Sequence, residues 1–119
     1  MTNTYSPQSP FFLIEEDISC LALSALIEDC IKMTLIDVRQ DWEIDICKIN
    51  NSMHIPLPKL ENSLNTIPKD QPLITICHHG VRSKQAIFIL KRNGFNNVAS
   101  LIGGVDTWAK QIDQSMAQY

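Results

Sequence analysis

The sequence predicts an α/β fold: one domain with a largely parallel central sheet and helices on both faces. Three observations carry that expectation. Short apolar, β-branched runs alternate along the chain with segments of helical spacing, which is the pattern of βαβ units. The 119 residues are 45% apolar and 19% charged, the composition of an ordinary globular domain that buries a core without disulfides or metal. No apolar run approaches the length of a bilayer span, so no membrane partner is expected.

The elements follow in order. Residues 1–10 (MTNTYSPQSP) are polar and rich in turn formers, and read as a loose N-terminal tail ahead of a domain over residues 11–119. The tail holds no Lys or Arg, and the apolar patch from Phe11 to Ile14 is short; no secretory signal is expected, and the chain reads as cytoplasmic. Ser19 caps a helix reaching about Ile31, with Leu23, Leu26 and Ile27 at i, i+3, i+4. Cys20 and Cys30 fall within or beside it and read as buried or half-buried small apolar residues. Thr34 to Val38 is a buried strand whose carboxyl end reaches solvent. Asp41 to Ile46 is a short helix, and Ser52 to Leu57 a second strand closed by Pro56 and Pro58. Lys59 to Ile67 is a further helix candidate, and Pro68 to Pro72 a turn. Leu73 to Ile76 is the clearest strand, β-branched and uncharged. Ser83 to Asn93 follows as a helix with Ala86, Ile89 and Leu90, joined by Phe88, on its apolar side and Gly94 as its stop. Asn97 to Leu101 is a last strand, Gly103-Gly104 breaks the chain, and Val105 to about Met116 is a last helix.

Charge and cysteine usage narrow the function. A net charge of −3 and a pI near 5.5 argue against a nucleic-acid partner. The charge is uneven: residues 1–60 hold nine acidic and four basic side chains, residues 61–119 four and six. The second half suits an anionic ligand. The four cysteines, Cys20, Cys30, Cys47 and Cys77, include no Cys-x-x-Cys pair, and in the cytosol they stay reduced. Cys77, His78 and His79 are consecutive, which suits few single-ion geometries, and the only other histidine is His54; no metal is expected.

Cys77 stands at the carboxyl end of the best strand, where α/β folds bind their ligands. Gly80 permits a tight or left-handed turn, and the loop feeds a helix N-terminus whose N–H groups favour an anion. Arg82 adds a permanent positive charge and Lys84 a second one nearby. All of these favour thiolate over thiol, so the segment suits a nucleophilic cysteine acting on an anionic substrate. Arg82 has a second role open to it, pairing at the helix start with a carboxylate such as Asp37. Asp37 and Arg39 read as braces of the site, and Trp42 and Trp108 as core or rim packing.

These motifs together resemble the rhodanese family of sulfurtransferases in its single-domain form. Cys77-His78-His79-Gly80-Val81-Arg82-Ser83 resembles the active loop Cys-x-x-Gly-x-Arg-Ser, and Asp37-Val38-Arg39-Gln40-Asp41-Trp42-Glu43 the signature Asp-Val-Arg-Glu-x-x-Glu. His54-Ile55-Pro56-Leu57 resembles the downstream Ile-Pro element. Gly94-Phe95, Val98, Gly103-Gly104-Val105 and Trp108 resemble the closing pattern. The likeness runs from about Ser19 to Gln111. It implies a rhodanese-like domain in which Cys77 attacks the outer sulfur of a small anionic donor such as thiosulfate and becomes a persulfide, held by the active loop from His78 to Ser83. An acceptor, cyanide in an assay or a thiol in the cell, then takes the sulfur, and no cofactor is needed. His78 and His79 occupy variable loop positions, fit either for substrate contact or for simple exposure.

Three other readings share these residues. A sulfur-relay protein would use a protein thiol as donor or acceptor. A non-catalytic module of this family often lacks the cysteine, which this chain keeps. The related phosphatase and arsenate-reductase domains have five residues between Cys and Arg, against four here. The chain departs from the pattern at Gln40, where the signature has an acid, and over Cys47 to Ser52, where both glycines of Gly-His-Ile-x-Gly-Ala are replaced. The connection between the first two strands is therefore expected to differ in shape. Cys47 reads either as a resolving thiol or as an incidental, partly exposed cysteine.

Overall fold

The computed structural model describes Leu13 and residues 15–119; the loose tail expected over residues 1–10 lies outside the described residues. Strands β1 (Asp17–Ile18), β2 (Thr34–Asp37), β3 (Ser52–His54), β4 (Leu73–Ile76) and β5 (Val98–Leu101) form one sheet in the order β1-β5-β4-β2-β3. Every pairing is parallel. Helices α1 (Cys20–Glu28), α2 (Asp41–Ile46), α3 (Val81–Arg92) and α4 (Gly104–Gln111) alternate with the strands.

Alternation along the strands sorts the core into two layers. Ile36, Leu73 and Val98 face Ala86, Ile87 and Leu90 of α3. Their neighbours Leu35, Ile74 and Ala99 face Leu23 of α1 and Trp108 of α4. With helices on both sides, β4 is buried at every residue, which is why it reads as an uncharged, largely apolar run. The central strands end together, so the loops after β2 and β4 meet beyond one edge of the sheet.

Several boundaries differ from the sequence reading. Ser19 does cap α1, its Oγ accepting from the Ala22 N–H at 3.0 Å. The helix ends at Glu28, and Cys30 adopts a left-handed φ of 58° that carries the chain away. Cys30 is thus exposed, not buried, and Phe88 of α3 is exposed and not on the apolar side of its helix. Lys59 to Ile67 is no helix; two 3-10 turns, Leu57–Lys59 and Leu64–Thr66, flank the buried Leu60 and precede the buried Ile67. The strand expected over Ser52 to Leu57 ends at His54 as β3, although the Ile55 and Leu57 N–H groups still donate to the carbonyls of Asp37 and Val38 at 2.9 and 3.0 Å. α4 closes at Gln111, and residues 112–119 continue as turns and irregular chain. β1 is an edge strand of two residues that no periodicity announces.

The connection between β2 and β3, where the family glycines are missing, keeps one backbone feature they would supply. Asn51 holds φ at 66°, and asparagine is among the few non-glycine residues that adopt this region readily.

Candidate active site

The loop after β4 wraps Cys77. Its residue is 1% exposed, and its Sγ accepts from the Gly80 N–H at 3.0 Å. Gly80 has φ of 112°, a conformation side chains resist, and this turn starts α3 at Val81, two residues earlier than the sequence suggests. Arg82 and Ser83 therefore lie on the first helical turn, not in a loop. Ser83 is buried and sets its Oγ 3.4 Å from Cys77 Sγ and 2.6 Å from Ser100 Oγ of β5. Thr75 of β4 donates to the Ser83 carbonyl at 2.9 Å. The sulfur thus sits at a helix N-terminus, beside an amide and a hydroxyl that can donate to an anion.

A second helix N-terminus clamps the other side of the loop. The N–H groups of Val105 and Asp106 donate to the carbonyls of Cys77 and His78 at 2.9 and 3.1 Å. Gly104, at φ of 59°, makes this approach possible: a Cβ there would overlap both carbonyl oxygens. The Gly-Gly break seen in the sequence is thus the seat of the active loop.

Arg82 is paired, but not with Asp37. Its Nη1 and Nη2 donate to Glu43 Oε1 and Oε2 at 2.5 and 2.9 Å. Glu43, on α2, is buried, and also accepts from the Tyr119 hydroxyl at 2.6 Å and the Gln40 N–H at 3.0 Å. Led by the Arg82 contact, these donors outweigh burial and hold the Glu43 carboxyl down at about 2. The same contact pushes Arg82 up. Asp37 serves Arg39 instead, receiving its Nε and Nη2 at 2.9 and 2.8 Å, both side chains fully buried. Arg39 also donates to Tyr119 Oη at 2.8 Å and to the Cys47 carbonyl at 2.7 Å, and its Nη1 lies 3.8 Å from Cys47 Sγ. An unbroken polar chain thus runs from Asp37 through Arg39, Tyr119 and Glu43 to Arg82.

His78 is half-buried, its ring stacked on Tyr119 with centroids 3.8 Å apart and 8° between planes. Burial, and then the charge of His79, lower its pKa. His79 is exposed, 3.8 Å from Asp106. Ligand atoms of His78, His79 and Asp106 lie within 4.8 Å of one another, close enough to hold a cation. Lys110 already binds Asp106 at 3.0 Å, which opposes a second positive charge there. Lys84, the second positive charge near Arg82, is exposed and pairs with Asp17 of β1 at 2.5 Å. Cys20 is buried, and burial raises its thiol to about 11.

The structure therefore brings Cys77, Gly80, Arg82 and Ser83 together, with Asp37 and Arg39 behind them. It leaves His79 at the rim and Val81 outward and exposed. Two participants were not singled out from the sequence. Glu43 closes the acidic signature and could have been chosen, because Arg39 stands two residues from Asp37 and competes for it. Tyr119 carries no signal at all.

A family model described as the rhodanese-like domain matches residues 20–111. The "Probable adenylyltransferase/sulfurtransferase MoeZ" of Mycobacterium tuberculosis is 37% identical over 90 residues, covering 74% of this chain and 23% of that protein. The chain thus spans about a quarter of that relative's length. A "Sulfurtransferase" of Allochromatium vinosum is 31% identical over 94 residues, 79% of this chain and 88% of its own. Among solved structures, a rhodanese-related protein from Thermoplasma volcanium superposes with a TM-score of 0.75 at 28% identity, covering 82% of this chain and 94% of that one.

Proposed function

The chain belongs to the rhodanese-like domain family, and from that membership we propose that it is a sulfurtransferase working through a persulfide on Cys77. The observation that carries the reading is the seat of the sulfur: Sγ accepts from the Gly80 N–H at 3.0 Å and lies 3.4 Å from Ser83 Oγ, at the N-terminus of α3. The amide donates to the sulfur and the hydroxyl can turn to do so, and the thiolate is the nucleophile. It attacks the outer sulfur of thiosulfate; the S–S bond of the donor breaks with its electron pair leaving on sulfite, and a new S–S bond forms on Cys77. Cyanide then takes the outer sulfur as thiocyanate and returns the thiolate, in a ping-pong scheme without a cofactor. His78, His79, Gly80, Val81, Arg82 and Ser83 form the loop around the carried sulfur, with Asp37 and Arg39 as its braces. Four residues separate Cys77 from Arg82, a smaller cradle than the five of the related phosphatase and arsenate-reductase domains.

A protein thiol as donor or acceptor is the second reading, supported by the adenylyltransferase/sulfurtransferase relatives. A cytoplasmic setting belongs to the same proposal: all four cysteines are free thiols, and among the described residues no helix is long and apolar enough to cross a membrane.

Intact-mass spectrometry after thiosulfate treatment tests the assignment. Native protein should gain one sulfur atom, lose it on adding cyanide, and show neither change as Cys77→Ser. A cyanide-labile sulfur that survives Cys77→Ser would overturn the assignment of the nucleophile. No sulfur gained by the native protein would overturn thiosulfate as donor.

A further inference from the structure

Tyr119 lies in none of the motifs, yet it meets one end of the active loop directly, at His78, and reaches the other end, at Arg82, through Glu43. Its ring stacks on His78, the residue after Cys77, and Trp42 of α2 meets it edge-on with centroids 5.7 Å apart. Its hydroxyl accepts from Arg39 and donates to Glu43, the carboxylate that holds Arg82. Both polar partners are buried. Ile112 and Met116 pack on the apolar layer shared by α1 and α4, and so carry residues 112–119 from the end of α4 to this point.

A ring held by a stacked neighbour, an edge contact and two charge-assisted hydrogen bonds is clamped, not loosely draped. It joins the loop end at His78 to the loop end at Arg82, while Cys77 itself is only 1% exposed. We propose that Tyr119 is a specificity-determining residue: its ring covers the edge of the active loop and limits what reaches Cys77 to small reactants, and its hydroxyl pins the ring there. In the persulfide scheme above, on which this naming of the substrate rests, the donor admitted is a small sulfane-sulfur anion, and a bulky persulfide is excluded while the ring is seated.

Alkylation of Cys77 tests access without calling on sulfur chemistry. Iodoacetamide serves as the small reagent and fluorescein-5-maleimide as the bulky one, with labelled peptides resolved by mass spectrometry and the exposed Cys30 as internal reference. Native protein, Tyr119→Phe and Tyr119→Ala are compared. Losing ring and hydroxyl together shifts a seated-to-open equilibrium, so Tyr119→Ala should raise the bulky-to-small rate ratio at Cys77 about tenfold. Tyr119→Phe, which keeps the stack but not the pin, should fall between native and Tyr119→Ala, and Cys30 should label alike in all three. An unchanged ratio in Tyr119→Ala, or equal acceleration of both reagents, would overturn the proposal, the second because it reports a loosened loop. A native protein that forms no persulfide removes the sulfur-transfer reading and leaves the labelling ratio as it stands, so the two failures are distinguishable.

Discussion

Replacing Glu43 with glutamine probes the joint between α2 and the active loop. The native carboxylate is 2% exposed and accepts from Arg82 at both oxygens, from Tyr119 and from the Gln40 N–H. Glutamine keeps the volume but turns one acceptor oxygen into a donor, so Arg82, together with either Tyr119 or the Gln40 N–H, must face a donor with a donor. Removing one partner of a buried pair costs about 3–5 kcal/mol; the Arg82 side chain is 31% exposed and can turn to water, so the loss should sit at about 3 kcal/mol. The lowered carboxyl gives a figure of the same size for the same contact. The Glu43 carboxyl is lowered from 4.5 to about 2, which corresponds to about 3 kcal/mol of stability. Because the folded value is the lower one, this stability is fully present above 4.5 and lost as pH falls from there through about 2. Glu43→Gln should therefore be about 3 kcal/mol less stable than native at neutral pH, and the gap should close toward about pH 2. Urea unfolding followed by the fluorescence of the buried Trp108 measures both arms. A gap of the same size in acid and at neutrality would refute the reasoning, since it would mean that the carboxylate's charge contributes nothing to the pair.

Two further substitutions reach the loop from opposite sides. Arg82→Ala should slow iodoacetamide labelling of Cys77 at neutral pH by about tenfold, since a nearby positive charge is lost and Glu43 is left uncovered, a combined effect of about 1.4 kcal/mol. Adding Glu43→Gln to that variant should recover part of the rate, and equal rates in all three proteins would show that Arg82 is a brace without electrostatic influence on the sulfur. Gly104→Ala should cost at least about 2–4 kcal/mol in unfolding experiments, because its Cβ overlaps the carbonyls of Cys77 and His78 on a left-handed backbone; a loss below about 0.5 kcal/mol, the scale of a neutral surface change, would mean that α4 does not seat the loop as described.

What was legible in the sequence was local. Leu73 to Ile76 reads as a strand because burial on both faces leaves an apolar run, and Ser19 reads as a cap because its hydroxyl serves an N–H three residues on. The active loop reads as an anion cradle because a glycine, an arginine and a helix start stand in fixed order after a buried strand. Boundaries failed where one backbone angle decided them. Cys30 and Gly80 both turn the chain through positive φ, and only the glycine announces it. The two 3-10 turns between β3 and β4 bury Leu60 and Ile67 at a spacing that mimics a helix.

The partners of Arg82 and Tyr119 were not legible, for a different reason. Glu43 lies 39 residues before Arg82, and Tyr119 lies 76 residues after Glu43. No local pattern records such pairings. Asp37 looked available to Arg82 only while Arg39 was considered apart from it; once Arg39 is seen to fill both of its oxygens, the one acidic side chain left facing Arg82 from the signature is Glu43. The cradle and its charge thus have different origins. Cys77, Gly80 and Ser83 obtain their geometry from β4 and the first turn of α3. The positive charge of Arg82 is matched by α2, and the matching carboxylate is held in turn by the Gln40 N–H after β2 and by Tyr119 beyond α4. A change at Cys77 itself should therefore alter reactivity at nearly constant stability, whereas a change at Arg82 or Glu43 should move reactivity and stability together.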